Sequence, residues 1–291
     1  MTAVQESDFD SLVPGLPVSR RTFVGGTLAA GFALAVRPAL GQSVVQTPAD
    51  GLVAGEVSLP APDGVALEAY RAQPAGRGPF PTILVVQEIF GVHEYIRDVC
   101  RRLAQRGYQA IAPNLYQRQG DPAGIDSVPD ILARIVSKVP DAQVMGDLDA
   151  AATWAAANGG DPARLGITGF CWGGRITWLY AAHNPRLKAG VAWYGRLTGV
   201  AGALTPSHPI DLVDALKAPV LGLYGAKDQG IPVSDVDDMK ADLAKAGKRA
   251  EFVIYPEAGH AFHADYRPSY RAADAADGWS RLLAWFKASG V

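Results

Sequence analysis

The chain reads as an α/β protein: a mostly parallel sheet with helices on both faces. Three observations predict this. Short apolar stretches alternate with helix-period stretches along residues 42–291, which is the pattern of strand–helix–strand crossovers. One of them, Thr82-Ile-Leu-Val-Val-Gln87, is apolar almost without interruption, as a strand buried on both faces must be. A third, Leu165-Gly-Ile-Thr-Gly-Phe-Cys171-Trp-Gly-Gly174, passes from apolar strand through a glycine-rich turn towards a helix. The composition is compatible: 48% hydrophobic, 19% charged and a net charge of −2 over 291 residues describe an ordinary globular chain. No charge run or basic excess offers a face to nucleic acid.

Residues 1–18 are polar and irregular, and are followed by Ser19-Arg20-Arg21-Thr22-Phe23-Val24 and a Gly/Ala-rich apolar run to Val36. That run is about fifteen residues, short of the roughly twenty that span a membrane. Ala39-Leu40-Gly41 supplies small residues at cleavage spacing, so the mature chain is expected to begin at Gln42. The arginine pair before Phe23 resembles a twin-arginine signal, which exports folded proteins. Residues 1–41 are therefore read as a removable signal. The expected partner is the twin-arginine export machinery, the destination is the periplasm, and no stable membrane insertion follows cleavage. An uncleaved anchor or a chance basic pair is the alternative.

Residues 42–291 then read as one domain without an internal linker, expected to be monomeric. Strands are expected at 52–59 and 65–73, joined by the Pro62-Asp63-Gly64 turn and hence antiparallel. The buried strand at 82–87 leads to a helix over 94–106, where Ile96, Val99, Cys100 and Leu103 recur at helical spacing and Gly107 caps the end. A strand at 108–112 precedes a polar loop through Asp126 and helices around 131–138 and 141–158. The strand from Leu165 turns at Cys171 into a helix over 175–182. Strand 189–194, an irregular stretch 195–209, strand 219–224, helix 233–246, strand 251–255 and helix 270–287 complete the pattern.

Ligands of such sheets bind beyond the C-terminal ends of the strands, and the candidate chemistry falls there. Gly169-x-Cys171-x-Gly173 has the form of a nucleophile elbow with cysteine for serine. Asp228 follows strand 219–224 in Gly225-Ala-Lys-Asp228, and His260 follows strand 251–255 in Glu257-Ala-Gly-His260. The order nucleophile, acid, histidine is that of the α/β-hydrolases. Each position has a plainer alternative. Cys171 is also readable as a buried structural thiol, and Asp228 as a helix cap with Asp235, Asp237 and Asp238 competing for the acid's role. His260 is readable as a loop histidine for whose ring Asp265 competes. The other thiol, Cys100, reads as core, and two cysteines make no disulfide framework.

No metal or cofactor is expected. His93-Glu94 begins like a zinc-protease helix, but position 97 is arginine. His260 and His263 gain no further ligands from the sequence, and no glycine-rich phosphate loop occurs. Trp172, Tyr194, Phe90, Phe262 and Tyr116 are candidates for an aromatic pocket wall, or equally for ordinary core.

Gln87-Glu88-Ile89-Phe90-Gly91, Leu115-Tyr-x-Arg118, Gly169-Phe-Cys171-Trp-Gly-Gly, Tyr194-Gly195, Gly225-x-x-Asp228 and Gly259-His260-x-Phe262 together resemble the dienelactone hydrolase (carboxymethylenebutenolidase) family. The likeness runs from about Glu56 to the C-terminus. It implies the α/β-hydrolase fold, with Cys171 as nucleophile, His260 as base and Asp228 as its orienting acid. It implies an oxyanion hole from the N–H groups of Ile89 and Trp172. It also implies a regulatory Glu88, whose carboxylate bonds the resting Cys171 thiol and swings away when substrate enters. An ion pair of Glu88 with Arg97 is the structural alternative. The family enzyme opens the enol-lactone ring of dienelactone to maleylacetate without a metal, and two arginines hold the substrate carboxylate. Arg118 matches the first; the second falls near Ala264, with Arg267 close by. Tyr116, Tyr194 and Phe262 are the expected substrate-lining residues. The expected function is cleavage of a small ester or lactone through a Cys-His-Asp triad. The competing reading is a catalytically silent hydrolase fold that binds a small ligand in the periplasm.

Overall fold

The computed structural model describes residues 45–291; the expected signal at 1–41 and its cleavage before Gln42 lie outside them. Eight strands form one sheet in the order β1-β2-β4-β3-β5-β6-β7-β8. The first two, β1 (Leu52–Pro60) and β2 (Ala66–Pro74), are an antiparallel hairpin. The turn between them closes through Gly64 N–H to the Ala61 carbonyl at 3.0 Å, with Gly64 at φ +84°, a conformation that costs glycine nothing. β2 runs antiparallel to β4 (Gln109–Pro113). From β4 onward every neighbour is parallel, through β3 (Phe80–Val86), β5 (Gly160–Phe170), β6 (Ala189–Trp193), β7 (Val220–Gly225) and β8 (Ala250–Tyr255). The predicted mostly parallel sheet is thus present, and Ile83, Leu84, Val85 and Val86 of β3 are fully buried at its centre.

Parallel neighbours require crossovers, for which α1 (Glu94–Ala104), α2 (Val128–Arg134), α3 (Asp141–Ala157), α4 (Trp172–His183) and α5 (Val233–Lys245) serve; α6 (Ala272–Ala288) follows the last strand. Ile96, Val99, Cys100 and Leu103 form the buried stripe of α1; Cys100 is core, as expected. Among the described residues no helix is long and apolar enough to cross a membrane.

Five boundaries, in four elements, differ most from expectation. The helix expected around 131–138 starts at Val128, because the Ser127 hydroxyl accepts the Asp130 N–H at 3.2 Å and caps it. It ends at Arg134 and gives way to a separate 3₁₀ turn, Val136–Lys138. β5 reaches back to Gly160, beyond a register shift opposite Pro81/Thr82. The elbow helix begins at Trp172, immediately after Cys171. The last helix begins at Ala272, since the Arg271 N–H is drawn to the Phe262 carbonyl at 2.9 Å.

Candidate active site

Because β3, β5, β6, β7 and β8 are parallel, the loops after them share one edge of the sheet, and the residues singled out above lie on those loops. Cys171 joins β5 to α4 at φ 56°, ψ −115°, a conformation that costs a non-glycine residue roughly 1–3 kcal/mol. The surroundings enforce it: the Cys171 N–H donates to Trp193 O at 3.0 Å, and its carbonyl accepts from Gly174 N–H at 2.9 Å. The flanking glycines are there for close approach. A Cβ on Gly169 would lie 2.1 Å from Gly173 O, and one on Gly173 would lie 2.4 Å from Val86 O and 2.6 Å from Gln87 O. The elbow is therefore pressed backbone to backbone against the end of β3 at Val86 and Gln87. The N–H groups of Trp172, first in α4, and of Ile89 donate to no other group among the described residues. A helix's first N–H groups lack intrahelical partners and sit at its positive end.

His260 Nδ1 lies 2.6 Å from Asp228 Oδ2, both residues buried. The other oxygen, Oδ1, accepts Gly230 N–H at 2.9 Å, so the carboxylate is fixed at both ends. Competing acids are engaged elsewhere: Asp235 takes the Thr198 hydroxyl at 2.6 Å, Asp265 pairs with Arg102 at 2.5 Å, and Asp237 and Asp238 are exposed. His260 Nε2 is buried with no hydrogen-bond partner. Burial disfavours its imidazolium, but the Asp228 carboxylate and the adjacent Cys171 sulfur outweigh that and raise its pKa to about 10. Cys171 itself is half-buried, reachable from outside.

Tyr116 packs its ring 4.9 Å from that of Trp172. Its hydroxyl is buried without a partner, and burial, reinforced by Cys171, holds it far above the usual phenol range. It therefore presents a neutral donor near the sulfur. Tyr194 sits edge-on to His260, ring centroids 5.1 Å apart, and Phe262 backs it at 5.3 Å. Two further non-glycine residues with positive φ, Tyr194 at 38° and Ala261 at 59°, flank the histidine. Backbone strain of this kind gathers where a site must be held in one geometry.

Two expectations need correction. The Glu88 carboxylate is not bonded to the thiol. Oε2 accepts the Tyr266 hydroxyl at 2.6 Å and lies 3.5 Å from His93 Nε2, while Oε1 has no hydrogen-bond partner. Although Glu88 is buried, His93, Arg267 and Tyr266 together hold its pKa below the usual value, so it is ionised. Nor does it pair with Arg97, whose guanidinium goes to Glu56 at 2.8 Å. Arg118 has carboxylate partners of its own in this structure. Its guanidinium is spread over Asp63 (2.6 and 2.8 Å) and Asp147 (2.8 and 3.0 Å), two carboxylates already filling the role foreseen for a substrate.

Sequence reasoning also passed over Gln87, whose buried amide has no partner at either end, and the His93–Glu88–Tyr266 contact. Gln87 had a signal, its place between β3 and Ile89; of the Glu88 partners, His93 is near in the chain and Tyr266 far from it. Among the described residues no group of three or more His, Cys, Asp or Glu is arranged to hold a metal. His263 turns from the site to Tyr95 Oη, 2.6 Å away.

A mostly parallel sheet with a strained elbow after its central strand, and an acid and a histidine on later strand ends, defines an α/β-hydrolase. Within that class, the chain belongs to the dienelactone hydrolase family, whose match covers residues 67–290. It is 63% identical to a "Putative carboxymethylenebutenolidase" of Methylorubrum extorquens over the full length of both chains. It is 57% identical to a protein of the same description from Escherichia coli, across 91% of this chain and 97% of the relative. The crystal structure of a "Putative Dienelactone Hydrolase" from Klebsiella pneumoniae is 60% identical, with TM-score 0.80, over 81% of this chain and 98% of that one. The chain is accordingly an ester or lactone hydrolase of the dienelactone hydrolase type.

Proposed function

We propose that hydrolysis proceeds by acyl transfer to the Cys171 sulfur, with His260 as base and Asp228 as its orienting acid. The observation that carries this is the 2.6 Å bond from Asp228 to His260 Nδ1, which leaves Nε2 buried, unpartnered and coupled to Cys171. A histidine beside a thiol takes the thiol's proton as sulfur attacks, the thiolate being the reactive form. The thiolate attacks the ester or lactone carbonyl; the C–S bond forms as the carbonyl π pair moves onto oxygen. That oxyanion rests on the N–H groups of Ile89 and Trp172, each such donor contributing about 3–4 kcal/mol. Collapse breaks the C–O bond, and the His260 imidazolium protonates the leaving oxygen. Water, deprotonated by His260, then cleaves the thioester and regenerates the sulfur.

In this reading Glu88 is the anion that must stay clear of the thiolate, because like charges at short range oppose ionisation. Tyr266 and His93 keep it there. Tyr116, Tyr194 and Phe262 line the acyl side. The substrate is a small ester or lactone, with dienelactone itself a candidate through the relatives' description. Residues 1–41 are proposed to direct export of the folded, monomeric enzyme to the periplasm, with no cofactor required. Purified protein beginning at Gln42 tests the reading directly on p-nitrophenyl acetate and on unsaturated γ-lactones. Turnover that disappears in Cys171→Ala supports it. A wild-type protein that binds these compounds without turnover would favour a ligand-binding role instead.

A further inference from the structure

Tyr95 of α1 is buried at 2% exposure, yet its hydroxyl reaches the loop that carries the candidate base. Tyr95 Oη lies 2.6 Å from His263 Nδ1. Burial keeps the phenol protonated, and burial together with the charge of Arg102 keeps the His263 ring neutral; the tyrosine therefore donates and Nδ1 accepts. The His263 ring is wedged among Trp193 (4.4 Å), Phe170 (5.4 Å) and Trp279 (5.9 Å).

Between His263 and His260 lies Ala261 at φ 59°, inside a turn closed by Ala264 N–H to Ala261 O at 3.0 Å. A non-glycine residue stays in that conformation only when both flanks are fixed. Asp228 fixes one flank through the His260 ring, and Tyr95 fixes the other through His263. The Tyr95 hydroxyl also neighbours that of Tyr194, the second strained residue, whose ring lies against His260. One hydroxyl thus bonds one support of the imidazole and lies near the other.

We propose that Tyr95 is a positioning residue for the hydrolysis: its bond to His263 holds the strained turn at Ala261 that aims His260 at Cys171. The inference rests on the reading of His260 as the base. Misplacing a reacting group by about an ångström can cost on the order of 100-fold in rate, whereas substrate binding by the pocket is untouched by a hydroxyl behind the loop.

The test uses Tyr95→Phe, which removes one hydroxyl and keeps the ring, together with His263→Phe and the double variant. Wild type and Cys171→Ala are measured alongside. Readouts are kcat and KM on p-nitrophenyl acetate and the rate of Cys171 alkylation by iodoacetamide from pH 5 to 10. Tyr95→Phe is expected to lower kcat about 10- to 100-fold with KM within about twofold. It is also expected to slow alkylation near pH 7, since a displaced imidazole no longer takes the thiol's proton. The double variant should be no worse than the more impaired single variant, because both act through one bond. Should Tyr95→Phe fail to fold, His263→Phe carries the same expectation for kcat and alkylation. Unchanged kcat and alkylation profile with only a lowered Tm, or single effects that multiply in the double variant, overturns the positioning role. With wild type active and Cys171→Ala silent, that outcome leaves the proposed mechanism standing. An inactive wild type, or an active Cys171→Ala, overturns the mechanism and the inference together.

Discussion

The two cysteines sit in regions that treat polar atoms in opposite ways. Around Cys100, on the inner face of α1, the neighbouring charges are bonded to one another. Asp98 has both oxygens occupied, by Thr47 N–H, Arg101 and Arg102, and Arg102 continues to Asp265 at 2.5 Å. Burial pushes the Cys100 thiol far up, out of the reactive range. Around Cys171, His260 Nε2, Tyr116 Oη, both ends of the Gln87 amide and Glu88 Oε1 are buried without partners. Each orphaned polar atom costs roughly 1–3 kcal/mol. The carboxylate nearest one thiol in sequence, Asp98, is fully paired, whereas the donors and acceptors gathered at the other are open. Burial alone does not separate a structural cysteine from a reactive one; the open hydrogen-bonding capacity beside it does.

The sharpest way to break that contrast is to exchange the two thiols for alanine. Cys171→Ala is expected to lower kcat at least about 10⁴-fold, because nucleophile and base act as a unit, with Tm changed little at a half-exposed turn. Cys100→Ala is expected to do the reverse: kcat within about twofold and a stability loss of roughly 1 kcal/mol from the cavity in α1. Ester assays and thermal melts on the two variants check both arms. Substantial activity in Cys171→Ala would end the distinction between the thiols.

Next in size is Asp228→Asn, which keeps the shape and removes the charge. A neutral amide no longer favours the imidazolium, and kcat should fall about 10³- to 10⁴-fold, as in triads generally. Stability supplies an independent sign. The His260 pKa is raised in the folded protein, from 6.5 to about 10. The associated stabilisation is therefore fully present below pH 6.5 and is lost as pH rises through about 10. The gap in unfolding free energy between wild type and Asp228→Asn should be widest below pH 6.5 and narrow towards pH 10. A gap that widens with pH across this window would show that Asp228 does not charge the histidine.

What the sequence disclosed and what it hid follow the same physical divide. The strands, the elbow turn and the strand-end positions of Cys171, Asp228 and His260 were legible because each is local. Glycines two positions from a nucleophile, an apolar run, or an acid at a strand end carry their reason within a few residues. The Tyr266 partner of Glu88 was not legible, since it lies 178 residues away. The Tyr95–His263 bond spans 168 residues. Even the start of α2 was missed by three residues, although Ser127-Val-Pro-Asp130 contains the cap that sets it. Long-range polar pairing depends on which loops the sheet order brings together, and no periodicity in the chain records that.

The smallest expected effect on activity belongs to Arg118, and it tests the contrast from the closed side. If its guanidinium is a structural tie, Arg118→Ala should shift KM equally for a carboxylate-bearing lactone and for a neutral ester, both within about twofold. The cost should appear in stability. The Asp147 side chain is 1% exposed, and stripping the partner from a buried carboxylate costs about 3 kcal/mol. Burial already raises the Asp147 pKa despite Arg118 beside it, and the variant should raise it further. A carboxylate whose folded pKa lies above its unfolded value destabilises the fold most when ionised. The deficit of Arg118→Ala should therefore be largest at neutral pH and shrink as pH falls through that raised pKa. Paired KM measurements and denaturant melts at pH 5 and 7.5 decide it. A KM rise confined to the carboxylate-bearing lactone would return Arg118 to the substrate site and move it from the closed region to the open one.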